Sequence, residues 1–256
     1  MMTAPALVLV TKGSAEQESN GAFHSLRKQL QIMRPDLQVN VAFLRHCPPT
    51  GPQVVSSLVH RGVNEVVFVP LSLTAAFSDP GVEELVNKVS AAHPNVAFAA
   101  ARPLGPVSVL LDLLDAQLRQ ALRSQGAMQI DSLVLATSAD VDARGISLLK
   151  RRARQWASRH NLICQLAINY SDGIGTAQAV STLRSQGRRH IAVGSLWLSD
   201  DESWVAQKQS ALRNGAIAVS RPFGVQKTLL ELAIARYSYA AMSGFETEVS
   251  EAEIAL

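Results

Sequence analysis

LVLVTKGS (residues 7–14) and LVLATSAD (residues 133–140) are nearly the same short text written twice. Each is an apolar run too short for a helix that closes on a polar turn. Such a run reads as a strand buried on both faces. Working outward, RGVNEVVFVPLSL (61–73) has its counterpart in QGRRHIAVGSLWL (186–198), and RPLG (102–105) in RPFG (221–224). Each of the last pair precedes a leucine-rich helical pattern, LLDL (110–113) or LLEL (229–232). The same signals in the same order mean an internal duplication, which decides the architecture before any single residue does.

Within the first copy, strands are expected at 6–10, 38–44, 65–69 and 96–99, with helices at 20–33, 52–61, 81–92 and 107–123. Ser14 with Gln17, and Thr50 with Gln53, have capping-box spacing. Asp79 before Pro80 reads as an N-cap followed by proline at the first helical position. Strict alternation of strand and helix implies parallel sheets with helices on both faces. The expected fold is therefore α/β: two flavodoxin-like parallel-sheet lobes related by duplication, facing each other across a cleft. Their expected limits are 1–125 and 130–242, with an acidic tail at 243–256 that lacks fixed structure. Ligands of such sheets bind beyond the carboxyl ends of the strands. This draws attention to the loops at 11–19, 45–51 and 71–79.

Composition narrows the class. Hydrophobic residues make up 47% of the 256-residue chain and charged residues 18%, a balance that can build a core and excludes wholesale disorder. No apolar run approaches the roughly 18 residues of a membrane span. The first ten residues run straight into a strand with no basic region, so no signal peptide is read and a cytoplasmic location is expected. Cys47 and Cys164 stand far apart and form neither a CxxC pair nor a disulfide framework. The net charge is +3, yet Glu246, Glu248, Glu251 and Glu253 crowd into the tail, leaving a more basic body suited to an anionic partner. No dense Lys/Arg stripe with interleaved aromatics is present, which argues against nucleic acid.

The motifs LVTKGS, AFLRHC (42–47), VVFVPLSL (66–73) and RPLGP (102–106) together resemble the class II tetrapyrrole chelatases, in particular the sirohydrochlorin chelatases of the small-chelatase type. The resemblance covers nearly all of the first copy and, more weakly, the second. It implies insertion of Fe²⁺ or Co²⁺, as substrate, into sirohydrochlorin on the way to siroheme or cobalamin, with no firmly implied cofactor. That chemistry needs a group to present the metal, a group to take two pyrrole N–H protons, and a surface for a flat macrocycle bearing eight carboxylates. Imidazole suits both metals and also serves as a base near neutral pH. The resemblance accordingly implies a histidine in HGS after the first strand, a second in GxH after PLxL, and a glutamate closing AFLE.

All three positions differ here. The two histidine positions, where the resemblance puts catalysis, hold Lys12 and Ser78, with Ala76 in place of the glycine; the glutamate position holds Arg45. The second copy offers Ser138, Tyr170 and Ser203 instead. An ammonium or a guanidinium has no lone pair for a metal. The family's usual metal site is thus expected to be missing. Lys12, Ser14, Arg45, His46 and Ser78 become candidate contacts for an anionic tetrapyrrole. Two functions follow from the resemblance: a chelatase with reduced or altered activity, or a non-catalytic binder, carrier or regulator. For the second, an active chelatase or another enzyme of the same biosynthesis is a candidate partner.

Other constellations have plainer readings. His46 and Cys47 are neighbours, and on an extended segment neighbours point opposite ways, so one shared metal is not expected. Ser199 and Glu202 have capping-box spacing, which accounts for the acids at 200–202. DGIG (172–175) lacks the third glycine of a dinucleotide loop and reads as a turn opening a helix. Trp156, Trp197 and Trp204 read as packing residues.

Overall fold

A computed structural model describes residues 4–127, 129–170 and 172–245. Its elements alternate without exception. In the first half these are β1 (Ala6–Thr11), α1 (Gln17–Met33), β2 (Val39–Phe43), α2 (Gly51–His60), β3 (Glu65–Pro70), α3 (Pro80–Ala92), β4 (Ala97–Ala100) and α4 (Leu110–Ser124). The second half repeats the series with β5 (Ser132–Ser138), α5 (Ala143–His160), β6 (Ile163–Asn169), α6 (Ile174–Ser185), β7 (Ile191–Leu196), α7 (Glu202–Arg213), β8 (Ala218–Val219) and α8 (Lys227–Ser243). Two parallel sheets result, ordered β2-β1-β3-β4 and β6-β5-β7-β8. The identical order is the structural form of the sequence duplication. Glu246, Glu248, Glu251 and Glu253 of the expected tail lie outside the described residues, and Ser243 closes α8.

Two compact units form, and they differ from the contiguous division expected at 124–129. Unit 1 takes the chain up to Ser72, then Phe77–Leu104, and again from Val225 onward; unit 2 takes Leu73–Ala76 and Gly105–Gly224. The fourth helix of each copy has changed sides. Helix α4 follows β4 in sequence but packs on β7 and β8, whereas α8 packs on β3 and β4. The duplication therefore describes the order of elements along the chain, and the packing units cut across it.

In unit 1 the strands bury both faces. Val8, Val10, Val66 and Phe68 join Val55, Leu58, Val82 and Val89 in one apolar cluster on the α2/α3 side. The alternate residues Leu7, Leu9, Val67 and Val69 are just as buried. Their side of the sheet carries α1, where Phe23 meets Phe43 edge-on, and α8. Burying a side chain of this size contributes about 1.5–3 kcal/mol, which is why unbroken apolar runs mark these strands. Tyr237 of α8 donates its hydroxyl to the Pro5 carbonyl at 2.6 Å, fastening the borrowed helix.

In unit 2 the matching fastening is ionic. Asp115 of α4 accepts from Trp156 Nε1 at 2.6 Å, and lies 2.8 Å from His160 Nε2 and 3.2 Å from Arg159. Burial by itself would raise the Asp115 pKa. The bonds from Trp156, His160 and Arg159 outweigh it and hold the carboxyl below its ordinary range.

Helix starts follow the sequence signals in part. Thr50 and Gln53 form the expected capping box, and Asp79 accepts from the Gly81 amide at 3.0 Å. Ser14 is not the cap of α1: the N-cap is Glu16, and Ser14 Oγ accepts the Glu16 amide at 3.1 Å. At α7 the cap is Asp201, accepting from the Trp204 amide at 2.9 Å, rather than Ser199. Gly173 opens α6 at φ 70°, and a Cβ there would lie 2.8 Å from the Ala206 carbonyl, so DGIG is the glycine turn expected.

Candidate functional site

The carboxyl edge of the unit 1 sheet gathers the residues singled out in sequence. Strand β1 lies between β2 and β3. Backbone pairing between β1 and β2 runs on past the strand ends: the Leu44 amide donates to the Thr11 carbonyl and the Arg45 amide to the Lys12 carbonyl, both at 2.9 Å. Lys12 and Arg45 thus leave adjacent points of one ladder, and both side chains are exposed.

The turn between them is tightly specified. Gly13 has φ 79°, and a Cβ there would sit 2.7 Å from the Arg45 carbonyl oxygen and 3.0 Å from Cys47 Sγ. Only glycine fits, on conformation and on space. Asn20, buried in α1, locks the next residue. Its Oδ1 accepts the Ser14 amide at 2.9 Å, while its Nδ2 donates to the Ser14 and Glu16 carbonyls at 2.7 and 3.2 Å. Ser14 is therefore placed by its backbone, with the hydroxyl accepting from Glu16.

His46 has φ 69°, a left-handed conformation that costs a non-glycine residue about 1–2 kcal/mol. The segment is not extended at this point, so strand-like alternation does not describe His46 and Cys47. The Cys47 amide donates to the Arg45 carbonyl at 2.9 Å, and its Sγ rests on the Gly13 turn. Burial pushes the Cys47 thiol up, partly countered by the Ser14 amide. A thiol held protonated is a poor nucleophile and a poor ligand.

Ser78 arrives on the other flank of β1, in the loop after β3. It is half-buried between Phe77 and Asp79, the N-cap of α3. Phe77 keeps 40% of its surface exposed, and Arg102, just beyond β4, lies with its guanidinium carbon 5.3 Å from the ring centroid. Lys12, Ser14, Arg45 and His46 thus occupy the β1/β2 side of the edge, and Ser78 the β3/β4 side. Arg102 lies inside the RPLG motif, which by itself does not mark it as a site residue. Asn20 carried no signal beyond lying in an expected helix.

Unit 2 does not rebuild the set. Ser138 ends β5, Tyr170 is exposed after β6, and Ser203 accepts from Trp197 Nε1 at 2.8 Å while donating to Asp201. Trp156 and Trp204 are buried as well, with Nε1 on Asp115 and on the Ser220 carbonyl, so all three indoles pack. Among the described residues no cluster of three or more His, Cys, Asp or Glu is placed to hold a metal ion. No helix among them is long and apolar enough to cross a membrane.

Two parallel four-stranded sheets of identical order make a two-lobed α/β fold, with cationic and hydroxyl side chains along the carboxyl edge of one sheet. Residues 6–121, somewhat under half of the chain, match the model of the CbiX family. Solved structures extend the likeness to both lobes. The sirohydrochlorin chelatase SirB from Bacillus subtilis subspecies spizizenii, in complex with cobalt, aligns with a TM-score of 0.74 over 93% of this chain and 96% of its own, at 12% identity. CbiX, the terminal enzyme for biosynthesis of siroheme in denitrifying bacteria, aligns with a TM-score of 0.63 over 93% and 100%, at 18% identity. DR2241 from Deinococcus radiodurans, a multi-domain protein with structural similarity to chelatases, aligns with a TM-score of 0.60 over 93% of this chain and 55% of its own, at 17% identity. At these identities the structures speak for the fold. No curated protein sequence matches the chain.

Proposed function

We propose that the protein is a sirohydrochlorin chelatase-like protein. It binds an anionic tetrapyrrole along the carboxyl edge of unit 1 and inserts Fe²⁺ or Co²⁺ slowly. The carrying observation is the backbone pairing that sets Lys12 and Arg45 side by side, in a lobe that matches the CbiX family model, at positions where the resemblance puts a histidine and a glutamate. A point charge and a planar fork both bind carboxylates, and Arg45 can do so bidentately. The hydroxyls of Ser14 and Ser78 and the ring of His46 add polar contacts.

The same substitutions limit the metal step. Insertion releases two pyrrole protons, and neither an ammonium nor a guanidinium accepts one. Solvent, buffer and the ring of His46 are left to take them, so the insertion rate should rise with buffer-base concentration. A second reading, a carrier or regulatory homologue that binds the pigment and inserts nothing, is favoured by the lack of imidazole at positions 12 and 78.

One visible-spectrum experiment separates them. Sirohydrochlorin is mixed with the protein and Co²⁺ at several buffer concentrations, against a protein-free control. A shifted pigment spectrum with buffer-dependent insertion above the control supports the chelatase. A shift with no added insertion supports the carrier, and an unchanged spectrum overturns both.

A further inference from the structure

Arg236 of α8 is the least expected member of the unit 1 edge. It lies more than 130 positions from Arg102 in sequence, yet its side chain reaches the backbone two residues past Arg102. Arg236 reaches the Leu104 carbonyl through Nη2 by one long bond of 3.5 Å. Its Nε is buried and has no hydrogen-bond partner. Burial first, and then the charge of Arg102, pull its pKa below the usual arginine value. Among the described residues, neither arginine forms an ion pair with a carboxylate.

This arrangement is unfavourable in the protein by itself. Two like charges repel, a half-buried guanidinium is partly desolvated, and a buried donor without an acceptor costs free energy. An arginine that serves packing alone has its N–H groups satisfied by carbonyls or carboxylates, as Arg159 does with Asp112 and Asp115. For Arg236 Nε no such partner is present among the described residues. Arg102 is exposed and stands over the ring of Phe77, and Arg236 is half-buried against the Leu104 carbonyl. An acid arriving from solvent meets Arg102 first and takes its second charge from Arg236.

We propose that Arg102 and Arg236 form a carboxylate subsite of unit 1, occupied by an acid side arm of the macrocycle. The proposal rests on the tetrapyrrole reading above and adds the residues that grip the β3/β4 side of the pigment. Lys12 and Arg45 take the β1/β2 side. A flat polyacid fits this layout because its carboxylates are spread around a rim. Charge-assisted bonds of this kind make each arginine worth about ten-fold in affinity.

The test uses two probes, sirohydrochlorin and the flat aromatic hexa-acid mellitate, each titrated by calorimetry into the full-length protein. Arg102→Ala and Arg236→Gln should each weaken both probes about ten-fold. Arg221→Ala, which removes an equal charge at the repeat's counterpart in unit 2, should leave both within two-fold. Because Arg102 is exposed, its variant keeps the test valid even if Arg236→Gln fails to fold. Mellitate binding that is absent, that is indifferent to Arg102→Ala, or that falls equally in Arg221→Ala overturns the subsite. Arginine-dependent mellitate binding in a protein that ignores sirohydrochlorin upholds the polyacid subsite and overturns the tetrapyrrole function.

Discussion

The Arg45 amide donates to the Lys12 carbonyl at 2.9 Å, so the β1–β2 ladder, rather than side-chain packing, sets the spacing of the two cations. Removing either side chain should leave that ladder intact. Lys12→Ala and Arg45→Ala are each expected to weaken sirohydrochlorin binding about ten-fold at low salt, with the gap narrowing as ionic strength rises. Absorbance titration at two salt concentrations checks this, and unchanged unfolding midpoints show that the fold is untouched.

Gly13 carries the turn between those cations. Gly13→Ala must hold a left-handed backbone and drive a methyl group into the Arg45 carbonyl. The expected loss is about 1–3 kcal/mol, read as a lower urea midpoint at constant slope. Pigment affinity should fall with it, because the same carbonyl positions Arg45 and Cys47.

Restoring imidazoles tests the placement of the metal-presenting positions. Lys12→His combined with Ser78→His should give Co²⁺ binding that calorimetry can measure, and faster insertion that no longer follows buffer concentration. If the double variant binds Co²⁺ no better than the parent, positions 12 and 78 do not present metal in this chain.

Asp115 makes unit 2 sensitive to acid. Its folded-state pKa lies below the unfolded value, so the folded state binds fewer protons at this site. The stabilisation is complete above the ordinary carboxylate pKa of about 4 and is lost as pH falls through the folded value. Asp115→Ala, which also strands the buried Trp156 N–H, should cost about 1–3 kcal/mol at neutral pH. Asp115→Asn keeps an acceptor for Trp156 and should flatten the acid limb of the stability profile, measured by tryptophan fluorescence in urea between pH 3 and 7.

The elements were legible because their causes are local. Unbroken apolar runs gave the strands, and Thr50 with Gln53 and Asp79 with Pro80 gave two helix starts where they occur. Ser14 misled because Asn20 draws it into a loop, which moves the cap of α1 to Glu16. The pairing of Lys12 with Arg45 followed from neighbouring strands, which the alternating pattern already implied. Arg236 could not be found in this way. An amphipathic stripe shows that a helix will be buried and does not name the sheet it covers. Nothing in RYSY announces that α8 belongs with β3 and β4.

That crossing of α4 and α8 bears on how such a protein could be divided. Each half of the gene, translated separately, would leave one sheet stripped of a cover and one helix with nowhere to lie. Fission near residue 125 should yield insoluble fragments that recover only when synthesised together. Through this reciprocal loan the two copies make a single inheritable whole.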